Sequence, residues 1–388
     1  MEREPGFNTL AAHAGDVADP HGAVSPPIYQ TSTFAFPTVE EGARRAASHS
    51  EAFYTRWGNP TVRRAEQRLA ALEGAEACVL TASGMAAVSL AVLSVVRAGD
   101  HVVCPGCAYS GTLELFSSVL PRLGVKTTFV DPTDVEHYAR ALRPNTRLVY
   151  VETPANPVLA ITDLRAVAEL SRAAGAVCVA DNTFATPYNT RPLTFGVDVV
   201  VHSATKYLGG HHHLVLGAVA GSARFLPAWR EQLRVFGGCA DPFSAWLLLT
   251  GVQTVGLRVE RQNATALALA EFLRRHPKVE RVYYPGLPDH PGHEVARRQM
   301  RGFGGVLSFE VRGGLDAGRR VVESLRWMKL AVSLGGVHSL VTHAASTTHV
   351  HVPRDQRLRA GIGEGLIRVA VGIEDAEDLL EDLDRALA

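Results

Sequence analysis

Asp181-Asn182-Thr183 and Ser203-Ala204-Thr205-Lys206 each follow a short apolar run, Val177 to Ala180 and Val199 to Val201. If both runs are strands, an acid and a lysine stand at neighbouring carboxyl ends, where an α/β sheet binds its ligands. A carboxylate, two hydroxyls and a lysine are the groups that hold an aldehyde bearing a pyridine ring and a phosphate, namely pyridoxal 5'-phosphate. On this reading Lys206 forms the Schiff base, and Asp181 keeps the ring nitrogen protonated because a buried carboxylate favours the cation. Ser203 and Thr205, two apart in an extended segment, project to one side and reach the same phosphate. Taken singly, Asp181 reads as a turn cap and Lys206 as a surface lysine. Their pairing at adjacent strand ends points to chemistry.

Two further groups suit the phosphate. At Thr81-Ala82-Ser83-Gly84-Met85 a strand signal passes into an apolar helix signal. Gly84 allows close approach of backbone, and the unpaired N–H groups of Gly84 and Met85 can face an anion. Tyr54 and Arg56, two apart in a Pro- and Gly-rich stretch, offer a phenol and a guanidinium on one side. The plain alternative for Arg56 is a solvated side chain. His211, His212 and His213, with His202 nearby, have ligand chemistry, but adjacent histidines cannot all point one way, and no metal is assigned. Cys104-Pro105-Gly106-Cys107 has the spacing of half a zinc or redox site, without a second pair.

Elements must position these groups. Residues 1–60 are rich in Pro, Gly, Ser and Thr, and read as an extended arm laid over other structure. From Thr61 helix and strand signals alternate: an amphipathic run to Glu73, then apolar strands near Cys78 to Leu80, His101 to Cys104, Leu148 to Val151 and Ala176 to Ala180. Asp163 caps a helix whose Leu164, Val167 and Ala168 share a face, and Gly175 ends it. This βαβ rhythm implies a mostly parallel sheet sandwiched by helices, over residues 61–256. Beyond it, a long helix to Arg275, strand signals at Gly305 to Val311 and Leu366 to Val371, and a helix from Glu374 read as a smaller α+β domain, residues 257–388.

Composition narrows the function. The 388 residues are 46% hydrophobic and 20% charged, with 39 Lys+Arg against 39 Asp+Glu. Such a chain is globular, and zero net charge without a polybasic block gives no electrostatic basis for nucleic acid or an anionic membrane. A small molecule is the expected partner. Five scattered cysteines and the absence of an apolar core in Met1 to Leu10 predict a reduced, cytoplasmic protein. Ala77 to Val96 carries no charge and has the length of a membrane span, but Thr81, Ser83 and Gly84 interrupt it. It reads as a buried strand, a turn and a buried helix.

Taken together, Tyr54-Thr55-Arg56-Trp57-Gly58-Asn59-Pro60-Thr61, Ser83-Gly84-Met85, Glu152-Thr153-Pro154-Ala155-Asn156-Pro157, Asp181-Asn182-Thr183, Ser203-Ala204-Thr205-Lys206-Tyr207, Ser333-Leu334-Gly335-Gly336 and Arg368-Val369-Ala370-Val371-Gly372 resemble the Cys/Met-metabolism family of pyridoxal-phosphate enzymes, the trans-sulfuration enzymes. The resemblance implies a fold-type-I transferase, like aspartate aminotransferase, and a homotetramer of two tight dimers. It implies that Tyr54 and Arg56 reach a neighbouring subunit's phosphate site and that Tyr109 stacks on the cofactor ring. Asn156, Ser333 and Arg368 would hold the substrate's amino-acid end, with Arg368 clasping the α-carboxylate through its planar fork of donors.

The implied chemistry is elimination at Cγ. Lys206, freed by the substrate amine, acts as base at Cα and Cβ, and Tyr109 protonates the departing thiolate. A lysine serves as base only when burial and neighbours depress its pKa. Members acting on cystathionine often read Glu-Ser-Leu-Gly where this chain has Val332-Ser333-Leu334-Gly335, the pattern of methionine γ-lyase. Val332 offers nothing to a distal ammonium but suits a thiomethyl group, by on the order of 0.8 kcal/mol per buried methylene-sized unit. Methionine γ-lyase activity is therefore expected, with cystathionine γ-lyase, cystathionine γ-synthase or replacement on O-acylhomoserines as alternatives. The chain departs from related patterns at Gly111, usually cysteine in methionine γ-lyases, and at Gly210-His211-His212-His213, commonly Gly-His-x-Asp. Thr250, His338 and Ala344 replace a frequent arginine, glutamate and proline. A nicotinamide oxidoreductase is disfavoured, since no Gly-x-Gly-x-x-Gly opens the first βα unit. A silent binding protein is disfavoured by the intact Lys206, Asp181, Tyr109 and Arg368.

Overall fold

In a computed structural model, seven short segments pair into one sheet: β1 (Ala77–Thr81), β2 (His101–Pro105), β3 (Lys126–Val130), β4 (Thr146–Glu152), β5 (Val177–Asp181), β6 (Val199–Ser203) and β7 (Gly217–Gly221). The described residues are 4–348, 350, 354–359 and 361–388. Residues 1–3 of the expected arm and 349, 351–353 and 360 of the expected second domain lie outside them. The strand order is β1-β7-β6-β5-β4-β2-β3. All neighbours are parallel except β7, which runs antiparallel to both β1 and β6. A single antiparallel strand makes the sheet mixed, close to the expected parallel one.

Successive strand residues face opposite ways, and both faces are apolar. Val79, Val179, Val199 and Val201 pack with helix Gly84–Leu93 and Trp229 on one face, whereas Val149, Cys178, Ala180 and Val200 pack with helix Leu164–Ala173 on the other. Sandwiching explains why the strands read as continuous apolar runs. Local signals set the helix ends. Asn59 Oδ1 accepts the Thr61 N–H at 2.9 Å to open helix Pro60–Glu73, and Asp163 Oδ1 accepts that of Ala166 at 3.1 Å. The uncharged run from Ala77 resolves into β1, the Ser83 cap and helix Gly84–Leu93. No helix among the described residues is long and apolar enough to cross a membrane.

A second sheet, in the order β10-β11-β12-β9-β8, comprises β8 (Val279–Tyr283), β9 (Val306–Val311), β10 (Lys329–Leu330), β11 (Leu340–His343) and β12 (Leu366–Ala370). Helices Gly314–Ser324 and Ala376–Leu387 pack with it. The two cores are joined by helix Val255–Arg275: Val255 and Val259 lie in the first, Ala266, Leu269 and Leu273 in the second. A boundary at residue 257 therefore falls inside a helix that serves both sides.

The arm is not wholly extended. Helices Phe7–His13 and Val39–Ala47 interrupt it, the former against helices Pro60–Glu73 and Val255–Arg275. Thr38 Oγ1 caps the latter by accepting the Glu41 N–H at 3.1 Å. Between these anchored parts the arm leaves apolar side chains in solvent, with Val17, Val24 and Val39 at least two-thirds exposed.

Candidate active site

Parallel pairing places the β4, β5 and β6 ends side by side, with Glu152 opposite Asp181 and Asp181 opposite Val201. Asp181 Oδ1 accepts the Thr183 N–H at 3.0 Å, and Oδ2 accepts the Tyr150 hydroxyl at 3.3 Å. The Thr183 hydroxyl accepts the Ser203 N–H at 2.8 Å and so ties the β5 end to the β6 end. Asp181 is half-buried and held in one orientation, as an acid facing a cationic ring nitrogen must be.

The chain turns immediately after Ser203, and this corrects one expectation. Residues 203–205 are not all extended: β6 stops at Ser203, and Lys206 lies in a turn closed by Lys206 N to Ser203 O at 3.1 Å and Gly209 N to Ala204 O at 2.8 Å. The Thr205 hydroxyl donates to Leu216 O and accepts from Leu216 N, each at 3.1 Å. In this conformation its one proton pins the turn to the chain entering β7.

Lys206 Nζ donates to Ser333 Oγ at 2.9 Å. Burial, and then the Arg368 guanidinium, push its pKa below the usual lysine range, which makes the neutral amine more accessible. Ser333 sits at φ 91, a left-handed conformation that costs a non-glycine residue roughly 1–2 kcal/mol. Two contacts hold it there: the lysine on its hydroxyl, and Arg368 Nη2 donating to its carbonyl at 2.9 Å. Arg368, on β12, also donates from Nη1 to Asn156 Oδ1 at 2.9 Å, while its Nε has no partner among the described residues. It is only 6% exposed, and burial lowers its pKa to about 10. A buried guanidinium with no acid beside it and one N–H unmet has the electrostatics of a carboxylate receptor.

Tyr109 leans over this region. Its N–H donates to Glu152 Oε2 at 2.8 Å, and a Cβ at Gly111 would come within 2.8 Å of its ring and 3.0 Å of Met85 Sδ. Gly84 and Met85 open a helix whose third amide is capped by Ser83 Oγ at 3.1 Å. The N–H groups of Gly84 and Met85 meet no acceptor among the described residues. A Cβ on Gly84 would stand 2.7 Å from Ser203 Cβ, so only glycine lets the helix start meet the β6 end. The free amides meet Ser203 at the β6 end, the β5 end beside it carries the oriented acid, and the turn that follows Ser203 carries the buried amine. The donor set fits pyridoxal phosphate.

Two expected contributors stand apart. Tyr54 bridges to Thr33, and Arg56 lies 5.4 Å from the Tyr54 ring centre and donates to the Arg234 carbonyl. Within one chain they meet each other, with no described hydrogen bond to Ser203 or Gly84. Val332 is 63% exposed beside Ser333. His211 and His213 rings meet edge-on at 5.3 Å and His212 stacks on His338 at 6.2 Å, but no group of three or more metal-ligating side chains forms among the described residues. His202 is engaged elsewhere, buried against Glu73. Burial raises the thiols of Cys104 and Cys107, the latter to about 12.

Sequence reasoning gave no role to several residues that shape the site. Glu152 is one, although its place at a strand end, one strand over from Asp181, repeats the signal that exposed Asp181. Arg258 is another: from Nη1 it donates to Tyr207 O at 2.8 Å and from Nη2 to Gly251 O at 2.7 Å, bracing the turn after Lys206. Behind the strand ends, Glu73 accepts from Asn182 Nδ2 at 3.0 Å and meets His202. No local pattern marks residues joined across such sequence distances.

A family model described as Cys/Met metabolism PLP-dependent enzyme matches residues 8–388. L-methionine gamma-lyase of Fusobacterium nucleatum subsp. polymorphum is 44% identical over 390 residues, 98% of each chain. Cystathionine gamma-lyase of Bacillus subtilis is 45% identical over 384 residues, again 98% of each. The solved structure of metB from Corynebacterium glutamicum superposes with a TM-score of 0.93 at 41% identity, covering 99% of this chain and 98% of that one. With a lysine, an acid and an anion cradle converging as described and the family match spanning nearly every residue, the chain belongs to the Cys/Met-metabolism family of pyridoxal-phosphate-dependent enzymes.

Proposed function

We propose that the protein is a methionine γ-lyase, converting L-methionine to methanethiol, ammonia and 2-oxobutanoate. The observation that carries this reading is Val332, an apolar side chain exposed beside the Lys206–Ser333–Arg368 cluster where a carboxylate would be needed to receive a distal ammonium. The identity to methionine γ-lyases supports it. Arg368 and Asn156 bind the substrate carboxylate, filling the unmet Nε–H. Pyridoxal phosphate, when bound, supplies a ring that takes up the electron pair released at the substrate's Cα. Lys206 Nζ, its proton affinity lowered by burial, takes the proton from Cα, would hand it on to the bound cofactor, and with its lone pair restored takes one from Cβ. Tyr109 Oη gives a proton to sulfur as the Cγ–S bond breaks. Asp181 faces the ring nitrogen, and Gly84, Met85 and Ser203 hold the phosphate. Thr205 joins them by turning its hydroxyl proton away from Leu216 O.

The assembly we propose is a homotetramer of two tight dimers, with Tyr54 and Arg56 completing the partner's phosphate site. The exposed apolar residues of the arm support this, since such side chains gain by burial against a second chain. Free cysteines support a cytoplasmic setting.

The test is a product assay on the purified holoenzyme offered methionine, cystathionine, homocysteine and O-acylhomoserines, recording 2-oxo acid and thiol separately. Methionine should give both at the highest kcat/KM, and Val332→Glu should shift preference towards cystathionine by roughly tenfold or more. A wild-type preference for cystathionine, or for thiol addition to O-acylhomoserines, would replace this reading with γ-lyase or γ-replacement chemistry on those substrates.

A further inference from the structure

Glu152 is only 4% exposed, ends β4 and stands opposite Asp181, yet the chemistry above does not use it. Neighbouring residues in register on parallel strands project to the same side, so two carboxyls share one corner of the site. Among the described residues no lysine or arginine is paired with Glu152. Its carboxyl instead accepts the Tyr109 N–H at 2.8 Å, and the Asn156 N–H faces it. Tyr109 and Asn156 belong to different loops, after β2 and β4, and stand on different sides of the proposed substrate. Tyr109 lies over Gly111 and Met85 at the phosphate end, while Asn156 contacts Arg368 at the carboxylate end.

We propose that Glu152 is a positioning residue, whose single buried carboxyl anchors the Tyr109 and Asn156 amides and so fixes the aromatic lid and the substrate clasp relative to each other. Both side chains act on substrate or cofactor, and Glu152 acts through them. The arrangement exploits an asymmetry of buried acids. A carboxyl accepts several N–H bonds at once, and these offset part of the cost of its burial. Burial and then the Asp181 charge raise the Glu152 pKa to about 8, and the two amides oppose that rise. Loss of the carboxyl frees both loops together.

The inference rests on the cofactor chemistry of the family and not on methionine as substrate, so whichever amino acid the product assay selects is used. The experiment compares wild type, Glu152→Ala and Glu152→Gln holoenzymes by site-resolved amide hydrogen exchange and by steady-state kinetics. In Glu152→Ala, exchange should accelerate at Tyr109 and Asn156 while the core of β4, such as Tyr150, stays protected. KM should rise and kcat fall, for a combined loss in kcat/KM of on the order of ten- to a hundredfold, the scale of leaving a buried amide without its acceptor. Glu152→Gln preserves volume but has one acceptor oxygen and no charge; it should fall between the two in both measurements. Unchanged protection at both amides in either variant overturns the proposal, and so does lost activity without local acceleration. If Glu152→Ala does not fold, Glu152→Gln alone decides.

Discussion

Lys206, Ser333 and Arg368 form a chain of contacts in which each residue alters the next. The guanidinium lowers the proton affinity of the amine, the amine donates to the serine hydroxyl, and the serine carbonyl accepts from the guanidinium. The serine remains at φ 91 because both ends of the residue are held. A base embedded in such a cluster cannot be replaced by solvent. Lys206→Ala should abolish the borohydride-reducible bond to the cofactor and reduce turnover by at least ~10²-fold, the scale of losing a positioned general base. Turnover unchanged in that variant would remove Lys206 from the chemistry altogether.

At the level of elements, the phosphate cradle depends on the close approach of a helix start to a strand end. Helix Gly84–Leu93 begins where β6 stops, and Gly84 has no room for a side chain against Ser203. Gly84→Ala should displace one element from the other and weaken cofactor binding by roughly tenfold or more, given that overpacking typically costs about 1–3 kcal/mol. Titration of the apoprotein with pyridoxal phosphate measures this. An affinity equal to wild type would mean that the helix start is not part of the cradle. The same logic accounts for the turn after Lys206, where Gly210 at φ 73 packs directly on the Arg258 guanidinium.

Across the whole molecule, the residues proposed to hold cofactor and substrate come from both sheets. Asp181 and Ser203 end strands of the large one; Arg368 lies in β12 of the small one, and Asn156 in the loop that follows β4. Helix Val255–Arg275 is packed in both cores and couples them. Within the chain Tyr54 pairs with Thr33, and Arg56 meets the Tyr54 ring and the Arg234 carbonyl. Co-expression of Arg56→Ala with Lys206→Ala chains tests whether the site is shared between subunits. Mixed assemblies should contain some sites with both residues intact and recover a fraction of wild-type activity, while each variant alone remains impaired. No recovery would confine Tyr54 and Arg56 to a role within their own chain.

The sequence by itself marked β1, β2, β4, β5 and β6, because a run buried on both faces must be continuously apolar, but not β3 or β7, and it marked Asp181 and Lys206 because acid and amine closely follow such runs. It also exposed the helix start at Gly84, whose signal is local. It did not show that Thr205 leaves the strand and commits its proton to Leu216, or that the arm contains helices. Nor did it assign Glu152, Arg258 or Glu73, each of which meets a partner about 40 to 130 positions away. Periodicity and capping are written over a few residues and survive in one dimension. Which buried polar groups meet is decided only when the chain closes, since each must find an acceptor or donor wherever the packing leaves one.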